Sequence, residues 1–216
     1  MKKVLVLLCM TLLMLNYAVS ANANLVQNGD FENGNAYVGS DLTYVTIITV
    51  NDQYAIDDNP HNFFTVWADM GDHTTGSGDM LIATPNGYVS PGDRAWYQEV
   101  DVSSGTEYVF NGWAAHVTNN DPAILSFQVD GSQIGSLYLL LSKKGQWVPF
   151  SFTWTAGSTE TVELSIVDFQ TTGSGNDFAL DDIGFTAIPI PSAVWLLGSG
   201  LFGIVGIRRK FSSKFG

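Results

Sequence analysis

Between residues 25 and 186 no stretch of the chain places apolar residues at the 3.6-residue spacing of a helix face. Strand signals recur instead. Runs of β-branched and aromatic residues at 43–50, 108–117, 124–129, 147–154 and 161–167 alternate or nearly alternate in polarity, and Gly, Asn, Asp and Ser clusters separate them. About nine to eleven strands fit this rhythm. Asp130-Gly131 falls between two such runs and predicts a tight hairpin, because glycine accepts the positive φ of a primed turn. Short strands with no helices between them predict an antiparallel β-sandwich, and about 160 residues fill the two-sheet core of a jelly roll. An immunoglobulin-type sandwich is the alternative, for which the body is large and lacks a cysteine pair.

The ends have a different character. Lys2 and Lys3 precede an apolar run over 4–15 and then Ala21-Asn22-Ala23, the pattern of a secretory signal peptide. Cleavage after Ala23 leaves a chain that starts at Asn24 and removes Cys9, the single cysteine, so neither a disulfide nor a cysteine zinc site can form. Residues 187–207 form a second apolar run, followed by Arg208, Arg209 and Lys210. About 20 such residues span a bilayer, and the cations belong on the cytoplasmic side, with the body outside. The predicted organisation is a signal helix and signal peptide over 1–23, a sandwich over 24–186, and a tail with a transmembrane helix over 187–216.

All 21 acids lie in the body, where Arg94, Lys143 and Lys144 are the only cations. Such a surface repels phosphate backbones and excludes nucleic acid as a partner. It suits solubility and divalent cations.

The tail Ile188-Pro189-Ile190-Pro191-Ser192-Ala193-Val194-Trp195-Leu196-Leu197-Gly198-Ser199-Gly200-Leu201, closed by Arg208-Arg209-Lys210, resembles the PEP-CTERM sorting signals of Gram-negative bacteria. The resemblance implies export through the Sec translocon and transient anchoring in the inner membrane. It also implies cleavage near the proline motif by an exosortase-type membrane protease and delivery to the cell surface. Ile190 stands where the usual motif has glutamate.

Two stretches of the body, Asn24-Leu25-Val26-Gln27-Asn28-Gly29-Asp30-Phe31-Glu32 and Phe178-Ala179-Leu180-Asp181-Asp182-Ile183, resemble the first and last strands of galactose-binding-like jelly rolls, including carbohydrate-binding modules of families four and nine. The segments at 94–100, 105–113 and 145–152 follow the same rhythm. The resemblance implies extracellular polysaccharide as a partner. It also implies a structural Ca²⁺ between the first and last strands, held by Asp30, Glu32, Asp181 and Asp182, since Ca²⁺ takes hard oxygen ligands in irregular geometry. In the plainer alternative, Asp181 and Asp182 accept backbone hydrogen bonds at a strand bend. A second acidic segment, with Asp69, Asp72 and Asp79, fails the EF-hand spacing and reads as a glycine-rich loop.

Sugars stack their apolar faces on aromatic rings, so an exposed tryptophan beside polar groups marks a glycan site. Trp113, Trp147 and Trp154 sit in alternating strands and read as core. Trp67, Tyr88, Trp96 and Tyr97, with Arg94, are the candidate platform: Tyr88 and Arg94 flank a turn, and Trp67 precedes the glycine-rich loop. No nucleophile–base constellation is visible, and His61, His73 and His116 are scattered. The expectation is a secreted, surface-sorted, non-catalytic sandwich that binds extracellular polysaccharide. A purely structural matrix protein and a glycoside hydrolase are the alternatives.

Overall fold

The computed structural model describes residues 23–87, 93–139 and 143–189. The signal segment up to residue 22 and Tyr88 lie outside them, as does the tail from Ile190 onward with Pro191, Arg208, Arg209 and Lys210. In chain order the strands are β1 (Thr43–Tyr44), β2 (Gln53–Asp57), β3 (Met80–Thr84), β4 (Arg94–Val102), β5 (Glu107–His116), β6 (Ile124–Val129), β7 (Ser132–Gln133), β8 (Tyr138–Leu139), β9 (Trp147–Thr155), β10 (Glu160–Asp168) and β11 (Phe178–Ala187). They form two sheets. One runs β1-β2-β3-β11-β5-β9, and the other runs β4-β10-β6-β7 with β8 also against β6. Every pairing is antiparallel except the short β1–β2 contact, which is parallel. This is the expected all-β sandwich. No helix among the described residues is long and apolar enough to cross a membrane.

Alternation sets the inner faces. On β5, Tyr108, Phe110 and Ala114 enter the core while Val109, Asn111 and Trp113 stay half-buried on the other face. The core between the sheets is aromatic: Phe127 and Phe150 lie 4.2 Å apart, and Tyr108 stacks on Phe185 at 4.8 Å. Each such ring contributes about 1.5–3 kcal/mol by burial. β3 is buried at all five positions because its second face is covered too. Ile48, Ala55, Trp67, Ala68, Met80, Ile82, Val117 and Ala179 form that second cluster, under a long segment that crosses the outer face of the six-stranded sheet. The Ala68 N–H donates to the Val117 carbonyl at 2.9 Å and pins the segment there.

The Asp130-Gly131 hairpin is present as expected, with Gln128 opposite Gln133, Val129 opposite Ser132, and φ of 49° and 69° at the two turn residues. Two expectations fail locally. The 43–50 run is a strand only at Thr43–Tyr44; beyond it the chain leaves the sheet, tucks Ile48 into the second cluster and leaves Ile47 and Val50 exposed. β-branched composition suits any half-buried extended surface and does not require a ladder partner. Residues 24–32 are likewise no strand. They run beside β11 through Leu25 N–H to Phe185 O and Ile183 N–H to Gly29 O, but Asn28 (φ 53°) and Phe31 (φ 56°) turn the chain out of extended geometry.

Candidate functional site

The aromatic residues divide differently from expectation. Trp96 is 1% exposed and packs 6.1 Å from Phe110 in the main core, so it cannot be a platform. The reason is parity on β4: Trp96, Val100 and Val102 share the inward face. Tyr97 is half-buried, with the Arg94 guanidinium carbon 3.9 Å from its ring centroid and Gly39 close against the ring. Arg94 itself is bound by Asp41 through Nε (2.9 Å) and Nη2 (2.7 Å) and by Glu163 through Nη1 (2.6 Å), and its guanidinium holds the Asp41 carboxyl below the usual range. Tyr97 and Arg94 thus serve the edge of β4. Trp113 and Trp147, read as core, are half-buried on the outer face, while Trp154 packs partly against the main core.

Trp67 lines a cleft but is only 7% exposed and packs in the second cluster, so it presents no free ring face. It lines a cavity of about 290 Å³ between three loops: Ile48, Thr49, Val50 and Asn51 from the first, Phe64, Val66 and Trp67 from the second, and Gly173 to Asp177 from the third. The local causes are legible. Asn59 caps the single 3₁₀ turn Pro60–Asn62 by accepting from the His61 N–H at 2.9 Å. That turn sends the chain back over the sheet, and Phe64 packs on Trp67 at 4.7 Å. Asn51 Nδ2 donates to the Gly173 carbonyl and ties the first loop to the third. Asp168 organises the third loop by accepting from Asn176 Nδ2 at 2.6 Å and from the Gln170 N–H at 3.0 Å.

One wall of this cleft is apolar and wet: Val66 is 74% exposed, and Val50 and half-buried Phe64 stand beside it. The floor is polar. Asp177 is 8% exposed, and among the described residues its carboxyl has no donor other than its own backbone N–H. Burial, with the charge of Asp168 nearby, pushes that carboxyl up to about 6. An acceptor in a cleft with so few donors favours a ligand that brings hydroxyls. None of Asp177, Asn51 and Phe64 was singled out in the sequence. The run Phe63-Phe64-Thr65-Val66-Trp67 breaks every strand and helix period, and that misfit was the available signal.

The four acids expected to hold a metal divide as well. Asp30 and Glu32 are exposed, Asp181 is fully buried and Asp182 is half-buried. Asp181 stays paired opposite Trp113, and a bulge before Gly184, with Asp182 at φ 50°, lifts Asp182 off the β11 ladder. Asp181 accepts the His73 N–H at 2.8 Å and the Asp182 N–H at 2.7 Å, and burial still raises its carboxyl to about 7. Asp182 accepts from His73 Nδ1 and from Thr74 Oγ1, both at 2.6 Å. His73 also stacks on Trp113 at 3.7 Å, which closes the 71–79 loop onto the sheet.

A carboxylate not expected there, Asp72, completes the corner. Burial opposes its ionisation, yet the N–H groups of Gly78, Thr75 and Ser77 and the Thr75 hydroxyl hold it at about 2. Glu32 Oε1 accepts the Asp79 N–H at 3.1 Å. A Cβ on Gly78 would fall 2.0 Å from Glu32 Oε1 and 3.2 Å from the Asp72 carboxyl carbon, so glycine is what lets the two acids approach. Among the described residues no three His, Cys, Asp or Glu side chains form a ready metal-binding group. Glu32 and Asp72 approach each other across Gly78, while Asp181 is held by the His73 and Asp182 N–H groups.

No family model and no curated protein matches the chain in sequence. Solved structures match in architecture. The N-terminal CBM22-1-CBM22-2 tandem domain from Paenibacillus barcinonensis Xyn10C is 14% identical with a TM-score of 0.50, over 80% of this chain and 47% of that one. The chain thus spans about half of that tandem. The fold is that of a carbohydrate-binding-module-type sandwich. An apo-form cyclase from Fischerella sp. shares it equally, at 13% identity and TM-score 0.50, over 80% of this chain and 98% of that one. The EclA C-terminal domain, a sugar-binding protein, is 19% identical with a TM-score of 0.43, over 50% of this chain and 76% of that one. A fold shared by sugar-binding domains and cyclases does not fix an activity.

Proposed function

We propose that this is an exported, surface-sorted, non-catalytic protein whose sandwich binds extracellular polysaccharide in the cleft beside Trp67. The observation that carries this reading is the meeting of a wet apolar wall, at Phe64 and Val66, with a buried carboxylate at Asp177 that lacks donors. A pyranose ring offers both complements, a C–H face for the wall and hydroxyl donors for the acid. Hydrolysis of a glycosidic bond needs two acids across the scissile bond, and among the described residues lining the cleft Asp177 is the only one. Export and sorting by an exosortase-type protease rest on the sequence of the two ends, Pro189-Ile190-Pro191 and Arg208-Arg209-Lys210 included. A structural Ca²⁺ would draw on the hard oxygen donors of the 24–32 segment and β11, Asp30, Glu32, Asp181 and Asp182. When bound, it would supply charge neutralisation at a buried corner.

Affinity electrophoresis through gels of neutral polysaccharides tests the binding. Phe64→Ala should relieve retardation on whichever polysaccharide holds the protein, with affinity at least tenfold weaker, since a stacking ring contributes about 1.5 kcal/mol, and with a melting temperature lowered by the lost packing on Trp67. Free migration of the unmodified protein in every gel leaves the structural matrix role.

A further inference from the structure

The cleft is small, and its floor carries one kind of charge. Its volume of about 290 Å³ is at the lower edge of the roughly 300–1,000 Å³ that enclose drug-sized ligands. Segments at 48–51, 64–67 and 173–177 line it together with Thr84. A cavity of this volume holds about one sugar ring, the end of a chain. No Lys, Arg or His is among the described lining residues. Lys144 donates its ammonium to the Val66 carbonyl at 3.0 Å, and Arg94 is held by Asp41 and Glu163. Asp168 adds a second negative charge beside Asp177. A uronate carboxylate entering here would meet like charge in a site of low dielectric, where repulsion is poorly screened.

We infer that the cleft takes the terminal residue of an uncharged glycan, its hydroxyls donating to Asp177 and its C–H face against Phe64 and Val66, and that it rejects acidic chains. This rests on the polysaccharide-binding reading above and narrows it to a ligand class and an end of the chain.

Isothermal titration calorimetry of the full-length protein, in a sugar-free detergent at pH 8, tests the inference. The probes are cellotetraose, xylotetraose, chitotetraose and tetragalacturonate, together with the unbroken polymer of whichever neutral sugar binds. At least one neutral tetrasaccharide should bind, tetragalacturonate should bind at least tenfold more weakly, and binding capacity per gram should follow the number of chain ends. Asp177→Asn, which preserves shape, should weaken the neutral ligand at least tenfold and shrink the gap to tetragalacturonate. Equal or tighter binding of tetragalacturonate, or equal capacity per gram of the polymer, overturns the inference while polysaccharide binding stands. If no saccharide gives heat and none retards the protein in gels, both readings fall together.

Discussion

Asp177 couples the candidate site to stability. Its carboxyl is raised from about 3.8 to about 6, so the folded state holds the proton more tightly than the unfolded chain does. Stability from this group is therefore fully present below about pH 4 and is lost as pH rises towards 6; two pKa units correspond to about 3 kcal/mol. Asp168 and Asp181, also raised by burial, slope the same way. Asp72 opposes them, because its lowered carboxyl gives stability above about pH 4 that disappears as pH falls towards 2. Asp177→Asn removes one titration without removing shape. Its melting temperature should fall less between pH 4 and pH 7 than that of the unmodified protein; equal slopes in thermal melts would mean that Asp177 does not titrate as its burial implies. The same desolvation makes the residue available as an acceptor at neutral pH, so its cost to stability and its use in binding have one cause.

At the scale of elements, the loop over 71–79 is a clasp. His73 closes it through a ring stack on Trp113 and hydrogen bonds to Asp181 and Asp182, which the β11 bulge presents to it. Trp147 Nε1 adds a bond to the Gly71 carbonyl at 3.1 Å. This explains why Trp113 and Trp147 are half-buried without being platforms: each serves the sheet's outer face, and the loop covers it. His73→Ala removes a stack of about 0.5–1.5 kcal/mol and a side-chain bond to a carboxylate, so a loss of about 1–2 kcal/mol is expected at this partly exposed position. Cleavage by a nonspecific protease should move into 71–79 before any other described loop. A variant that melts lower yet is cut at the same sites would place the loss elsewhere than in the clasp.

Across the whole molecule, what could be read in the sequence followed the range of the interactions. The runs at 108–117, 124–129 and 161–167 became strands within a residue or two, because period-two alternation and turn chemistry are local. Which face a tryptophan takes depends on register and on what crosses the sheet, and Trp96 and Trp113 came out on the faces opposite to those expected. Asp177 escaped notice because its meaning lies in burial between loops 48–51 and 64–67, distant in sequence. Asp72 escaped for the same reason: spacing within 69–79 says nothing of Glu32 or Asp181. The 24–32 segment, the clasp and β11 are joined here through the Asp79 N–H to Glu32 and the His73 N–H to Asp181. With 21 acids in a body holding three cations, closing such a corner without a counter-charge is unfavourable. A Ca²⁺ present at 100 times its Kd would contribute about 2.7 kcal/mol, which for a domain of this size raises the melting temperature by roughly 5–10 °C over that in EDTA. Glu32→Gln should abolish the difference while leaving the EDTA melt nearly unchanged, because Glu32 is exposed and its structural bond to Asp79 survives as an amide oxygen. Superimposable melts in calcium and EDTA would leave the corner held by the His73, Thr75, Ser77 and Gly78 N–H groups alone.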